Sequence, residues 1–245
     1  MSRHCLILGA KSDIGRALAH RWAQEGFALQ LAGRNAIESL DSDAKDIQIR
    51  YGVPTSVHEL DICNFDRLAE FYAGLDPKPE VVICVIGYMP PQDQSQKDVW
   101  IAKQVVDSNF TGCALLLDLA ASEMEQSGRG SIIGISSVAG DRGRASNYWY
   151  GSAKAGFTAY LSGLRNRLSW KKIHVLTVKP GFVKTKMTEG LPLPAPLTAS
   201  PDSVAKDVWK AWKRRQNVLY TKWMWRYIMA IIRTIPEWKF KTMKL

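Results

Sequence analysis

Six short apolar runs recur along the chain with helix-length segments between them: Cys5–Leu8, Ala28–Ala32, Ser56–Leu60, Val81–Ile86, Ser131–Ser136 and His174–Val178. Strands of this length alternating with helices pack as a parallel sheet covered on both faces. Open sheets of that kind take ligands at the carboxyl ends of their strands. The expected class is therefore α/β, a doubly wound parallel sheet in a single domain. At 245 residues the chain is long for one domain yet within the reach of α/β units. Hydrophobic residues at 46% and charged residues at 23% exclude a disordered or fibrous protein.

The four cysteines, Cys5, Cys63, Cys84 and Cys113, are widely spaced among apolar neighbours and form no Cys-x-x-Cys pair. Buried thiols in a reducing compartment are expected. The four histidines are equally scattered, so no metal is assigned. Only four residues precede the first apolar run, which argues against a signal peptide and for a cytoplasmic chain.

The first turn reads Gly9-Ala-Lys-Ser-Asp13-Ile-Gly15, directly after a strand and before the predicted helix Arg16–Glu25. Free N–H groups at a helix start favour a pyrophosphate, and glycine lets the phosphates approach closely. Gly9, Lys11, Ser12, Asp13, Ile14 and Gly15 are thus cofactor-binding candidates in a Rossmann-type unit. The alternative is a tight turn capped by Ser12 or Asp13. The second strand ends Leu31-Ala-Gly-Arg34, with no acid at its tip to accept the two ribose hydroxyls of NAD. Arg34 offers a guanidinium that matches a 2′-phosphate, with Lys11 as a second cation, so NADP(H) is favoured over NAD(H). A solvated surface arginine is the competing reading.

Tyr150 and Lys154 lie four residues apart in Tyr150-Gly-Ser-Ala-Lys154, on one face of a predicted helix. A phenol is a weak acid at neutral pH, and a neighbouring ammonium favours its anion. Such a pair suits proton exchange with a carbonyl or alcohol oxygen. With Ser137 thirteen residues before the tyrosine, Asn109-Phe-Thr-Gly112 and Lys179-Pro-Gly-Phe-Val-Lys-Thr185, the chain resembles the short-chain dehydrogenase/reductase family from residue 4 to about residue 220.

That resemblance implies hydride transfer from a nicotinamide to a carbonyl carbon while Tyr150 protonates the oxygen that Ser137 orients. Lys154 would assist Tyr150 and bind the nicotinamide ribose, and Asn109 would perturb its helix and hold a water route to the lysine. Ser137 is chosen over Ser136 because it immediately precedes Val-Ala-Gly. Asp61 and Ile62 would bracket the adenine, with a helix N-cap as the rival role for Asp61. Gly87, Pro180, Gly181, Val183 and Thr185 complete the expected cofactor contacts, the carboxamide meeting Val183 and Thr185. Two departures stand out: Asp13 replaces a family glycine, most simply as a helix cap facing away, and Cys84-Val-Ile-Gly87 stands where relatives carry Asn-Asn-Ala-Gly. A catalytically silent NADP(H)-binding regulator is the reading those departures keep open.

Prolines 192, 194, 196 and 201 disfavour regular structure in Gly181–Pro201, a candidate mobile lid. The net charge of +10 belongs to the end of the chain: residues 206–245 hold eleven Lys and Arg against two acids. Residues 1–221 are read as the NADP(H)-binding domain and 222–245 as a basic, Trp-rich amphipathic extension. Residues 209–245 hold five of the nine tryptophans. The extension suits peripheral contact with an anionic membrane, on its inner face, or equally packing over the pocket or a dimer partner. It is too short and too charged to span a bilayer, and without a recognition motif nucleic acid is not expected. The stretches Ser136–Arg142, Ser146-Asn147, Tyr150–Gly156 and Lys179–Met187 look especially like actinobacterial decaprenylphosphoryl keto-pentose reductases, implying a lipid-linked keto-sugar. A soluble ketoreductase for acyl, steroid or other small carbonyl substrates is the alternative. Relatives commonly pair, so a homo-oligomer is expected.

Overall fold

All six runs form strands in the computed structural model, which describes residues 3–243. The outermost residues of the two predicted segments, 1–2 and 244–245, lie outside the described residues. In chain order the first half is β1 (His4–Leu8), α1 (Asp13–Gln24), β2 (Ala28–Gly33), α2 (Ala36–Tyr51), β3 (Thr55–Glu59), α3 (Leu68–Ala73), β4 (Val81–Cys84), α4 (Gln92–Lys97), α5 (Val99–Val106) and α6 (Gly112–Ser127). The second half is β5 (Ser131–Ile135), α7 (Tyr148–Ser169), β6 (His174–Pro180), β7 (Phe182–Val183), β8 (Thr198–Ala199), α8 (Pro201–Lys213), β9 (Val218–Thr221), α9 (Met224–Thr234) and α10 (Glu237–Phe240).

The main sheet is parallel, in the order β3-β2-β1-β4-β5-β6-β9. Successive strand residues face opposite sides, and both sides are covered, which is why the runs are continuously apolar. Cys5 and Ile7 join Trp22, Val204 and Trp209 on the side of α1 and α8. Leu6 and Leu8 join Leu117, Phe157 and Leu161 on the side of α6 and α7. Cys5, Cys84 and Cys113 are buried as expected, but Cys63 is only half-buried.

Three sequence expectations need correction. The helix after the first turn begins at Asp13 rather than Arg16, because the Ser12 hydroxyl accepts the Gly15 N–H at 3.1 Å and so caps it. A seventh strand, β9, was missed: Val218–Thr221 is only partly buried and lies at the sheet edge, so its apolar signal is weak. The proline-rich segment is not devoid of strand, since β7 pairs with β8 and the loop closes on itself. Its prolines fall outside the paired residues, and Pro201 opens α8 behind the Ser200 cap, where a missing N–H matters least.

His174 starts β6 with Nε2 2.8 Å from the Gln216 carbonyl and a buried Nδ1 that has no partner among the described residues. Burial pulls its pKa below the ordinary 6.5, as it does for His58. The folded chain then refuses a proton that the unfolded chain accepts. Stability falls as pH drops through 6.5 towards the folded value, and the contribution vanishes above 6.5. Melting temperature measured from pH 7.5 down to 5 is expected to fall by about 2–4 °C for each kcal/mol of this linkage. His174→Asn should flatten the slope, and an unchanged slope would remove His174 as its source.

Candidate active site

The predicted cofactor residues all fall at the carboxyl ends of parallel strands: the Gly9–Gly15 turn after β1, Arg34 after β2, Asp61 and Ile62 after β3, Gly87 after β4 and Pro180–Thr185 at β6 and beyond. The first turn makes a cradle. Gly9 has φ +88°, a region that L side chains rarely adopt, and a Cβ on Gly15 would stand 2.6 Å from the Gly9 carbonyl oxygen. First-turn amides of α1 have no intrahelical acceptor, and Ser12 takes only that of Gly15. A helix start with free amides beside a bare glycine turn fits a pyrophosphate.

Asp13 is not the cap. Its Oδ2 accepts the Lys186 N–H at 2.8 Å, so the carboxylate ties the first turn to the loop between β7 and β8. At the tip of β2, Lys11 Nζ donates to the Arg34 backbone carbonyl at 2.8 Å, which ties the first turn to the segment that carries Arg34. A carboxylate does reach this tip, from the next strand. Glu59 accepts from the amides of Asn35 (2.6 Å) and Ala36 (2.8 Å), so both its oxygens are engaged in capping α2. Asp61 is no helix cap either: its Oδ1 accepts the Cys63 N–H at 3.0 Å in a local turn. Ile62 turns its side chain into the core, leaving its backbone for any contact with a base.

The loop after β4 shows how Cys84-Val85 is accommodated. Cys84 packs in the core, and the Val85 N–H donates to the Leu8 carbonyl at 2.9 Å. Polar anchoring comes from elsewhere: Asn109 accepts the Tyr88 N–H (3.2 Å) and donates to the Tyr88 carbonyl (2.7 Å), while Lys154 Nζ donates to the Ile86 carbonyl (3.0 Å). Asn109 also donates to the Val105 carbonyl at 2.8 Å, taking the acceptor that its own N–H would use in an α-helix. The chain opens into a π turn over Asp107–Thr111 as a result.

Lys154 is buried, and its ammonium bridges the strand ends through Ile86 and the Ile135 carbonyl (3.2 Å). Two of its three protons are thereby used. Its Nζ lies 5.8 Å from the centre of the Tyr150 ring, one turn earlier on α7. The two serines after β5 have different fates. Ser136 is buried, with Oγ donating to the Lys154 carbonyl (3.0 Å) and 2.6 Å from Thr158 Oγ1. Ser137 is half-buried; its Oγ accepts the Ala139 N–H at 3.1 Å and still has a proton to donate.

Two groups went unnoticed in the sequence. Thr188 donates to the Val183 carbonyl at 2.6 Å and accepts the Thr185 N–H at 3.1 Å, so the polar edges expected to meet a carboxamide are held by a neighbour. Beneath Pro180, Lys179 pairs with Asp141, whose other oxygen accepts from Tyr220 Oη at 2.8 Å. Burial first, then the Asp141 carboxylate, pushes the Tyr220 phenol up. Arg144, in the same segment as Asp141, is held below its ordinary value by burial.

A trough of about 820 Å³ opens between the first turn and the loop that follows β7, lined by Asp13, Thr185, Lys186, Leu191, Leu193 and Ala199 among others. A Cβ on Gly181 would stand 2.0 Å from the Trp225 ring, so the indole lies directly on the Pro–Gly segment, with its Nε1 donating to the Leu197 carbonyl at 3.0 Å. Trp209 and Trp212, assigned by composition to the basic end, instead pack on Trp22 and Phe27 with ring centres 5.0–6.1 Å apart. Among the described residues no three His, Cys, Asp or Glu side chains gather as a metal site, and no helix is long and apolar enough to cross a membrane.

Residues 3–194 match the short chain dehydrogenase family. An uncharacterized oxidoreductase of Mycobacterium tuberculosis is 32% identical over 97% of this chain and 96% of its own length. A 3-oxoacyl-[acyl-carrier-protein] reductase of Thermotoga maritima is 32% identical over 80% of each chain. Among solved structures, a short-chain dehydrogenase from Sphingobium yanoikuyae in complex with NADPH superposes with a TM-score of 0.82 at 23% identity, covering 96% of this chain and 97% of that one.

Proposed function

The chain belongs to the short-chain dehydrogenase family, and from that premise we propose that it is an NADP(H)-dependent oxidoreductase interconverting a carbonyl and a secondary alcohol. The observation that carries the reading is Lys154: an ammonium buried between the ends of two strands, beside Tyr150 on the same helix face and bonded to the Ile135 carbonyl, two residues before Ser137. A buried cation is retained only where something repays its desolvation. Two carbonyls and a phenol ring do so here.

When bound, the nicotinamide supplies the hydride that reduces the carbonyl carbon. The α1 amides with Gly9 and Gly15 would hold its pyrophosphate, and Arg34 with Lys11 a 2′-phosphate. Ser137 donates its remaining proton to the substrate oxygen and fixes it near Tyr150. Tyr150 gives the proton that completes the alcohol, and Lys154 stabilises the phenolate left behind. Asn109 keeps the π turn open and the Tyr88 loop in place, which holds Ile86 for the lysine.

For the substrate we take a lipid-linked keto-sugar. Support comes from the likeness of Ser136–Arg142 and Lys179–Met187 to decaprenylphosphoryl keto-pentose reductases and from leucines 191 and 193 in the trough wall. A soluble acyl substrate is the second reading, favoured by the resemblance to the Thermotoga reductase. A panel of ketones, 3-oxoacyl thioesters and polyprenyl-phosphate keto-sugars, followed by stereospecific deuteride transfer from labelled NADPH and NADH, decides between them. Arg34→Ala should raise KM for NADPH roughly ten-fold or more while moving that for NADH by less than about three-fold, the loss of one charge-assisted hydrogen bond. Equal effects on both cofactors would defeat the 2′-phosphate assignment. Transfer to no member of the panel would favour a silent binding protein.

A further inference from the structure

We propose that the outward face of α9 docks on an anionic lipid bilayer and seats the rim of the active site against the headgroups. This goes beyond the catalytic reading and stands or falls without it. β9 runs parallel to β6 with Thr221 opposite Pro180, so α9 starts at the carboxyl edge of the sheet, where the site lies.

The helix has two apolar faces. Trp225 and Met229 are buried against Val138, Phe182 and Leu197, which accounts for one. Trp223, Tyr227 and Ile231, spaced four residues apart, are 71%, 62% and 65% exposed on the opposite side. A helix whose core face is already filled needs no second apolar strip for folding. Cations border the strip: Arg226 and Arg233 on α9 are exposed, and Trp238, Lys239 and Lys241 follow on the next turn, also exposed.

Glu237 is the one acid of residues 222–241, and it is engaged by Arg142 at 2.8 Å. Arg142 also donates to the carbonyls of Ile232 and Ile235, each at 2.6 Å, and its guanidinium stacks 3.7 Å from the centre of the Phe240 ring. The arginine belongs to the segment after Ser137, so the strip is mounted rigidly on the active-site loop. Aromatic rings and an isoleucine between arginines and lysines match the boundary of a bilayer bearing negative headgroups. Each cation at such a surface is worth about a five-fold gain in partitioning, which calls for an anionic rather than a neutral lipid.

The test is flotation of the full chain with phosphatidylcholine vesicles, with and without phosphatidylglycerol, beside sedimentation equilibrium in solution. Binding is expected only with the anionic lipid and should weaken as salt shortens the screening length. The triple substitution Trp223→Ser, Tyr227→Ser, Ile231→Ser should reduce partitioning roughly ten-fold or more without moving the melting temperature or turnover of a soluble ketone. Arg226→Glu with Arg233→Glu should do the same with the apolar strip intact. No binding by the parent, binding equal on neutral vesicles, or unchanged binding by the triple variant overturns the proposal. So does a parent dimer that the triple variant splits, since a second copy would then cover the strip.

Discussion

Tyr150→Phe is expected to lower kcat by roughly 10³-fold, within the range that general acid–base catalysis contributes, with little change in NADPH affinity or stability. The substitution removes one hydroxyl from a half-buried ring and leaves Lys154 with both of its carbonyl partners. Lys154→Met would be a poorer test. It strips the Ile86 and Ile135 carbonyls of a buried donor, so activity and folding would fall together. The phenylalanine variant separates them: steady-state turnover on the best carbonyl of the panel should collapse, while calorimetric NADPH binding and the melting temperature stay near the parent values. Turnover within ten-fold of the parent would mean that another group, or water, delivers the proton, and the tyrosine assignment would fall.

Why the strand pattern and the tyrosine–lysine pair could be read from the sequence, and other parts could not, follows from the range of the interactions. The strand runs are local in sequence, as are the i, i+4 spacing of Tyr150 and Lys154 and the glycine turn after β1. Each announces itself within a few residues. Asp13 could not, because its partner Lys186 is 173 residues away and is brought near only when the loop after β7 folds over α1. Glu59 likewise sits on β3 in sequence but serves α2, 23 residues back, through the register that pairs Gly33 with Glu59. β9 is short and half-exposed at the sheet edge, so neither continuous apolarity nor clean alternation marks it. Composition misled most at the end of the chain. Trp209, Trp212 and Trp225 count as aromatic tail residues in sequence, yet they face Trp22, Phe27 and Phe182, because helix phase and not residue type decides which side each ring takes.

Asp141→Asn should destabilise the protein by about 3–5 kcal/mol, the usual consequence of stranding a buried charge. Side-chain exposure is 9% for Lys179 and 3% for Asp141, so water cannot take over the role of the lost carboxylate. Asparagine keeps one acceptor oxygen where the carboxylate had two, so Lys179 and Tyr220 of the edge strand would compete for it, and one anchor between the segment that carries Ser137 and β6 or β9 is lost. Replacing both charges, Asp141→Leu with Lys179→Met, removes the uncompensated ammonium and should recover most of the loss. The Tyr220 hydroxyl then remains the one group to be satisfied. Urea unfolding of the parent, Asp141→Leu, Lys179→Met and the double variant gives the coupling directly, and Asp141→Asn should melt about 6–20 °C below the parent for a chain of this size. A loss under about 1 kcal/mol in Asp141→Asn, as at an exposed pair, would show that the ammonium finds another acceptor, and the triad would not be what fixes the serine segment to β6 and β9. Where the triad does so, activity should track its integrity: Asp141→Asn lowers kcat on a soluble ketone even at temperatures where the fold is intact, and the double variant restores stability without restoring that rate in full, because Leu and Met hold the segment by contact alone.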